Sequence, residues 1–177
     1  MRYRTLLALA LSCIVLAVAL RAAEPVAKEV EDALPSPTSV VEARARARLL
    51  HESLSGTLQV MHRDFFNDEN AHAIPSASLE DVFDELAESY NVKLKWLIVE
   101  TDSVNVDHEP KDDFERAAVK ALKAGQPRYE IVEKDQYRFA GPVRLASQCL
   151  KCHVKHRTNT EDRKAGLLIS MPLDLAP

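Results

Sequence analysis

Tyr129-Glu130-Ile131-Val132-Glu133-Lys134-Asp135-Gln136-Tyr137-Arg138-Phe139 contains two short runs rich in aromatic and β-branched residues, separated by the polar pair Lys134-Asp135. Such runs around a tight polar connection predict an antiparallel hairpin. Residues 142–145 extend its second arm. Further on, Gly166-Leu167-Leu168-Ile169-Ser170-Met171 is nearly continuous apolar sequence and predicts a last, buried strand. Upstream, residues 92–99 (VKLKWLIV) alternate and then become wholly apolar, as a strand does on entering the middle of a sheet.

The rest of the chain reads as helix. Residues 40–66 contain no proline and one glycine, and Leu50, Leu54, Leu58, Met61 and Phe65 recur at helical spacing along one stripe. A polar loop over residues 67–75 follows. Ser78, with Asp81 three residues on, resembles a capping box and opens a short helix through Val82, Phe83, Leu86 and Ala87. After a loop with Asp102, Asn105 and Asp107, Pro110 stands near the start of a helix. Its face is Phe114, Ala118, Ala121 and Leu122, and Gly125 ends it. The order helix, helix, strand, helix, strands predicts an α+β domain with a mostly antiparallel sheet and helices on one side.

With 46% apolar and 28% charged residues, the 177-residue chain has the composition of one globular domain plus appendages. Arg2 and Arg4 precede an apolar run over residues 6–20, followed by Arg21-Ala22-Ala23. As a helix that run is ~22 Å long, short of the ~30 Å hydrocarbon core, so residues 1–23 read as a signal peptide or an uncleaved membrane anchor. Residues 24–39, with Pro25, Pro35 and Pro37, read as a linker, and residues 40–177 as the domain. The formal charge is −4, and without Arg2, Arg4 and Arg21 it is −7. An acidic body without a long basic run argues against a nucleic-acid partner and fits docking to basic or neutral ones. The expected location is the periplasm or the outer face of the cytoplasmic membrane.

With Cys13 inside the export segment, Cys149 and Cys152 are the cysteines left to the domain. They belong to Cys149-Leu150-Lys151-Cys152-His153, the C-x-x-C-H spacing of covalent haem attachment. Thiols one helical turn apart suit the two vinyl groups on one porphyrin edge, and the adjacent histidine supplies a nitrogen to iron. Zinc would use Cys149, Cys152, His153 and His156, but structural zinc takes ligand pairs from separated segments, and no second cysteine pair exists. A thioredoxin-type redox pair opens a helix after a strand of a βαβ unit, whereas this pair lies late, after a hairpin. The motif thus points to one covalent haem c, with His153 as proximal ligand.

A sixth ligand would come from His51, His62, His72, His108, His156, Met61 or Met171. His156 is too near the motif to reach the opposite face, and His72 and His108 read as solvated loop residues. On the long helix, His51 and His62 fall at the edge of the apolar stripe, ~16 Å apart along the axis, so one iron can use one of them. His62, beside Met61 and Phe65, is the preferred distal ligand; His51, near Arg44, Arg46 and Arg48, and Met61 are the alternatives. Arg138, Arg144, Lys155 and Arg157 are near enough in sequence to the motif to serve the propionates.

The chain resembles a family of haem c domains of unknown function with a PAS-like sensor fold, found in exported proteins and as the sensor half of bacterial signalling proteins. The resemblance rests on Tyr137-Arg138-Phe139-Ala140-Gly141-Pro142-Val143 leading into the haem motif and on the closing residues 165–173. It also rests on the long helix carrying Leu58-Gln59-Val60-Met61-His62. It covers residues from about 40 to the end, and implies Cys149 and Cys152 as attachment points and His153 as proximal ligand. The expected function is an electron-transfer or redox-sensing module rather than an enzyme, working with a redox partner protein or a separate signalling partner. The alternatives are a diatomic gas sensor using the sixth site, or a small haem peroxidase.

Overall fold

The computed structural model describes residues 34–65, 74–102, 105–147 and 149–175. The expected export segment, residues 24–33 of the linker, and most of the 67–75 loop with His72 lie outside these. Helix α1 (Val40–Asp64) comes first, with the Ser39 hydroxyl accepting from the Glu42 amide at its start. There follow α2 (Pro75–Tyr90), β1 (Lys93–Leu97), a 3-10 turn (Val106–His108), α3 (Asp113–Lys123), β2 (Tyr129–Glu133), β3 (Gln136–Leu145), a short α4 (Leu150–His153) and β4 (Arg163–Pro172). Among the described residues no helix is long and apolar enough to cross a membrane.

The four strands form one sheet in the order β1-β4-β3-β2. Every neighbouring pair is antiparallel, so the expected α+β class holds. The hairpin falls where its sequence places it: Glu133 pairs Gln136, and Lys134 adopts a φ of 55° in the turn. The longest ladder joins β3 to β4, from Gln136 opposite Pro172 to Leu145 opposite Arg163. The two strand ends set by Leu145 and Arg163 flank α4.

Helices cover both faces of this sheet, whereas the sequence suggested one. On one face, α1 and α2 pack over Trp96, Tyr137, Phe139, Val143, Leu167, Ile169 and Met171. On the other, Phe114, Ala118 and Leu122 of α3 pack over Leu97, Ala140 and Leu168. Successive strand residues point to opposite faces, so Leu167 and Leu168 need separate covers. The unbroken apolar run in β4 is the signature of a strand buried on both sides.

Two helix boundaries differ from expectation. The second helix begins at Pro75, which fits a first turn because its missing N–H needs no partner there, and Ser78 lies inside it. The buried stripe of α1 is Ala43, Ala47, His51, Leu54 and Leu58, while Phe65, past the helix end, is 78% exposed. Two alanines at the start of the stripe let α1 approach the sheet closely. The packed unit also begins before α1: Pro37 is buried and its carbonyl accepts from the Asp174 amide at 2.9 Å.

His51 marks the tightest contact between α1 and the sheet. A Cβ on Gly141 would stand 2.4 Å from His51 Nε2 and Cδ2, so β3 needs glycine there. The ring also meets Phe139 edge-on, with centroids 5.7 Å apart. A second tie runs from Arg44 of α1 to Glu130 of β2 at 2.7 Å, and the fully buried Tyr137 donates its hydroxyl to the same carboxylate. Hydrogen bonding from Arg44 holds the Glu130 carboxyl below its ordinary range, against a smaller opposing effect of burial and with help from Tyr137. On the opposite face, Arg138 lies 4.2 Å over the Phe114 ring and reaches Asp112 at 2.7 Å, beside the buried Glu115–Lys95 pair.

Two stability measurements check these contacts. Gly141→Ala should lower stability by about 1–3 kcal/mol, the usual range for overpacking, and the loss should shrink on a His51→Ala background, where the clash partner is gone. An equal loss in both backgrounds would contradict the contact. Glu130→Gln should cost about 1–3 kcal/mol at neutral pH, through a charge-assisted bond lost and Tyr137 less well paired. Because the folded-state pKa of Glu130 is depressed, its contribution is complete above the unfolded value and disappears as pH falls through the folded one. Denaturant titrations of the two proteins should therefore begin to converge as pH falls through the ordinary carboxylate range and meet only below it.

Candidate functional site

Residues after β3 turn back on themselves at once. Cys149 donates its amide to the Ala146 carbonyl at 2.8 Å, and its own carbonyl accepts from His153 at 3.2 Å, closing the one-turn helix α4. The fully buried Leu150 anchors this turn, packed with Leu145, Cys149, Val154 and Ala165. Outside it, the Asp102 amide donates to the His153 carbonyl at 2.9 Å, and the Asp102 carboxylate accepts from the Lys155 amide at 2.7 Å. The loop after β1 thus clamps the motif from one side.

Cys149 and His153, four residues apart, share a face of α4 and line one cleft. Leu58, Gln59 and His62 from the last turns of α1 line it too. Trp96, Val143 and Leu145 contribute the apolar floor from β1 and β3. Cys152 is exposed and is not among the lining residues.

Burial lowers the proton affinity of both of these cleft imidazoles. For His62 desolvation is the cause. For His153 desolvation comes first, and the nearby His62 and His108 add to it. Burial thus favours the neutral form of each ring, the form that ligates metals. The buried Cys149 thiol moves the other way: burial pushes its pKa up. A redox pair relies on a lowered thiol pKa, so Cys149 lacks that signature.

The other histidines and cations separate cleanly. His51 is 7% exposed, not at a solvated helix edge, and lines a different groove from His153. Met61 is half-buried and does not line the cleft. His108, which sequence suggested was solvated, lines it, with Nε2 2.8 Å from Glu80 Oε1. The 3-10 turn that carries it is capped by Asn105, whose side chain accepts from the Asp107 amide at 2.9 Å. That Asn-x-Asp pattern was the available signal of an ordered turn. None of Arg138, Arg144, Lys155 and Arg157 lines the cleft. Arg138 is engaged with Asp112 and Phe114 across the sheet, Arg144 pairs with Asp162, and Arg157 donates to the Leu150 carbonyl at 3.2 Å.

Known proteins resemble the chain in family and fold. No curated protein matches it in sequence. Among solved structures, the crystal structure of the cyanobacterial heme-protein Tll0287 superposes with a TM-score of 0.56 at 12% identity. The match covers 78% of this chain and 100% of that one. At that identity the likeness is one of fold. The model of the Tll0287-like family matches residues 38–170, well over half of the sequence, and the chain belongs to that family.

Proposed function

We propose that this protein is an exported haem protein carrying one haem c. Cys149 and Cys152 would attach it, and His153 and His62 would hold its iron. Its proposed role is electron transfer or redox sensing. The observation that supports the reading is that His153 and His62, remote in sequence, line one mostly apolar cleft together with Cys149. The membership of the Tll0287-like family supports the same reading, as does the heme named for the protein of like fold.

The donor set suits a macrocycle better than a bare ion. Among the described residues no group of three or more His, Cys, Asp and Glu side chains gathers to hold a metal ion. A porphyrin brings four nitrogens of its own and asks the protein for axial ligands only. When bound, the haem would supply a one-electron couple at its iron. The chain's part is to favour the neutral form of two imidazoles by burial and to exclude water with Trp96, Val143 and Leu145. Leu150 fixes the attachment turn against Leu145. Delivery would be across the cytoplasmic membrane, with residues 1–23 as signal or anchor. The electron or the signal would pass to a separate partner with a basic or neutral docking face.

A second reading, a diatomic gas at the sixth site in place of His62, draws on His108. That third imidazole, tethered by Glu80, gives the cleft a hydrogen-bonding group not needed as a ligand. A peroxidase needs an arginine to polarise peroxide, and among the described residues no arginine lines the cleft.

Protein made with haem-attachment machinery should show a c-type pyridine haemochrome and a mass gain of one haem. Replacing Cys149 or Cys152 with alanine should remove a thioether, and Cys149→Ala/Cys152→Ala should lose the covalent mass altogether. An unchanged mass in the wild type would refute attachment. His62→Ala should convert a low-spin spectrum to high-spin and let carbon monoxide bind the ferrous form. A low-spin spectrum unmoved by that substitution would exclude His62. Carbon monoxide binding to the unsubstituted protein would favour gas sensing over electron transfer.

A further inference from the structure

The outer face of α1 presents apolar side chains to solvent. Leu49 is 70% exposed and Val60 43%, although the other side of the same helix is packed on the sheet. Ala45, Ser53 and Gly56 are exposed as well. At about 100° per residue these five fall within about 80° of one another, and Glu42 and Arg63 fall in the same window beyond either end. The seam therefore reads Glu42, Ala45, Leu49, Ser53, Gly56, Val60, Arg63.

Gly56 is the least expected of these residues. It stands inside a 25-residue helix, where glycine is less favourable than alanine. A Cβ there would meet no described atom within 4 Å, so packing within the chain does not ask for glycine. A body lying close against the helix from outside would.

The seam is also its own complement. Reversed about the midpoint between Glu52 and Ser53, it sets Leu49 against Gly56, Ala45 against Val60 and Glu42 against Arg63. Each apolar pairing is large against small, as ridges into grooves require, and the outer pairing joins opposite charges. A parallel pairing would instead oppose Leu49 to Leu49 and like charges at both ends. Glu42 pairs with Arg46 and Arg63 with Asp64 at the surface, so a contact between copies adds to existing pairs. We propose that α1 docks antiparallel on α1 of a second copy of this chain, about a two-fold axis between Glu52 and Ser53, the same patch serving both copies. The helix is about 37 Å long, so the pair buries an area at the low end of specific interfaces and forms a weak dimer. His62 lies about 140° round the helix from Leu49, so the seam does not use the cleft side of α1.

Analytical ultracentrifugation of the full chain should show a dimer at about 100 µM that dissociates on dilution to about 1 µM. Leu49→Glu should leave a monomer at both concentrations, with unchanged circular dichroism because the side chain is exposed. Arg63→Glu should weaken the dimer by about tenfold, and Glu42→Lys added to it should restore the wild-type value. Under mild oxidation Ser53→Cys should link to its own copy, as peptide masses would show. Ala45→Cys should not, because its two copies lie about 22 Å apart along the pair. A chain that stays monomeric at the higher concentration overturns the proposal, as does a dimer indifferent to Leu49→Glu. Linkage through Ala45→Cys as readily as through Ser53→Cys would contradict the antiparallel register.

Discussion

The ladder between β3 and β4 is the constraint on which the remaining geometry depends. Its register puts Leu167, Ile169 and Met171 on one face and Leu168 on the other, and a slip of one residue would invert every one of them. The same register sets Leu145 opposite Arg163, so the connection between the strands, which contains the cysteine motif, springs from one end of the sheet. It also brings Gly141 under His51, where a side chain would hold α1 off the sheet. With α1 lifted, His62 at its far end would no longer share a cleft with His153.

That dependence explains why ordinary packing residues matter to the candidate site. Leu150 contributes no chemistry, yet its burial against Leu145 and Ala165 fixes α4 and aims Cys149 and His153 together. Asp102 acts similarly from the other side, through its amide to the His153 carbonyl and its carboxylate to the Lys155 amide. The first backbone bond and the second side-chain bond join residues about fifty positions apart, so neither is foreseeable from local sequence. Burial then supplies the electrostatics: it favours the neutral imidazoles of His62 and His153 and the protonated Cys149 thiol.

His51 shows how a helical stripe misleads when it is drawn from apolar residues alone. Its angular position touches the stripe beginning at Leu50, and flanking arginines suggested solvent. In the fold, Ala43 and Ala47 let α1 sink onto the sheet, and His51, four residues beyond, is carried into the interface. Phe65 shows the reverse error: it continues the spacing, but the helix ends at Asp64 and the side chain is exposed. Periodicity reports which residues could share a face, and the neighbouring layer decides which of them are buried.

Local sequence alone determined the elements and the motif. Alternation and turn chemistry around Lys134-Asp135 specified the hairpin, the apolar run from Gly166 specified a central strand, and the spacing of Cys149, Cys152 and His153 specified the attachment chemistry to expect. These are properties of a few adjacent residues and need no partner. Tertiary structure decided which distant groups meet. It joined His62 and His108 to His153 in one cleft, set His51 apart in another, and sent α3 to the opposite face of the sheet. The reason is physical: the choice among several plausible histidines is made by how closely two layers can approach, and that is set by side chains such as Ala47 and Gly141, which carry no functional signature of their own.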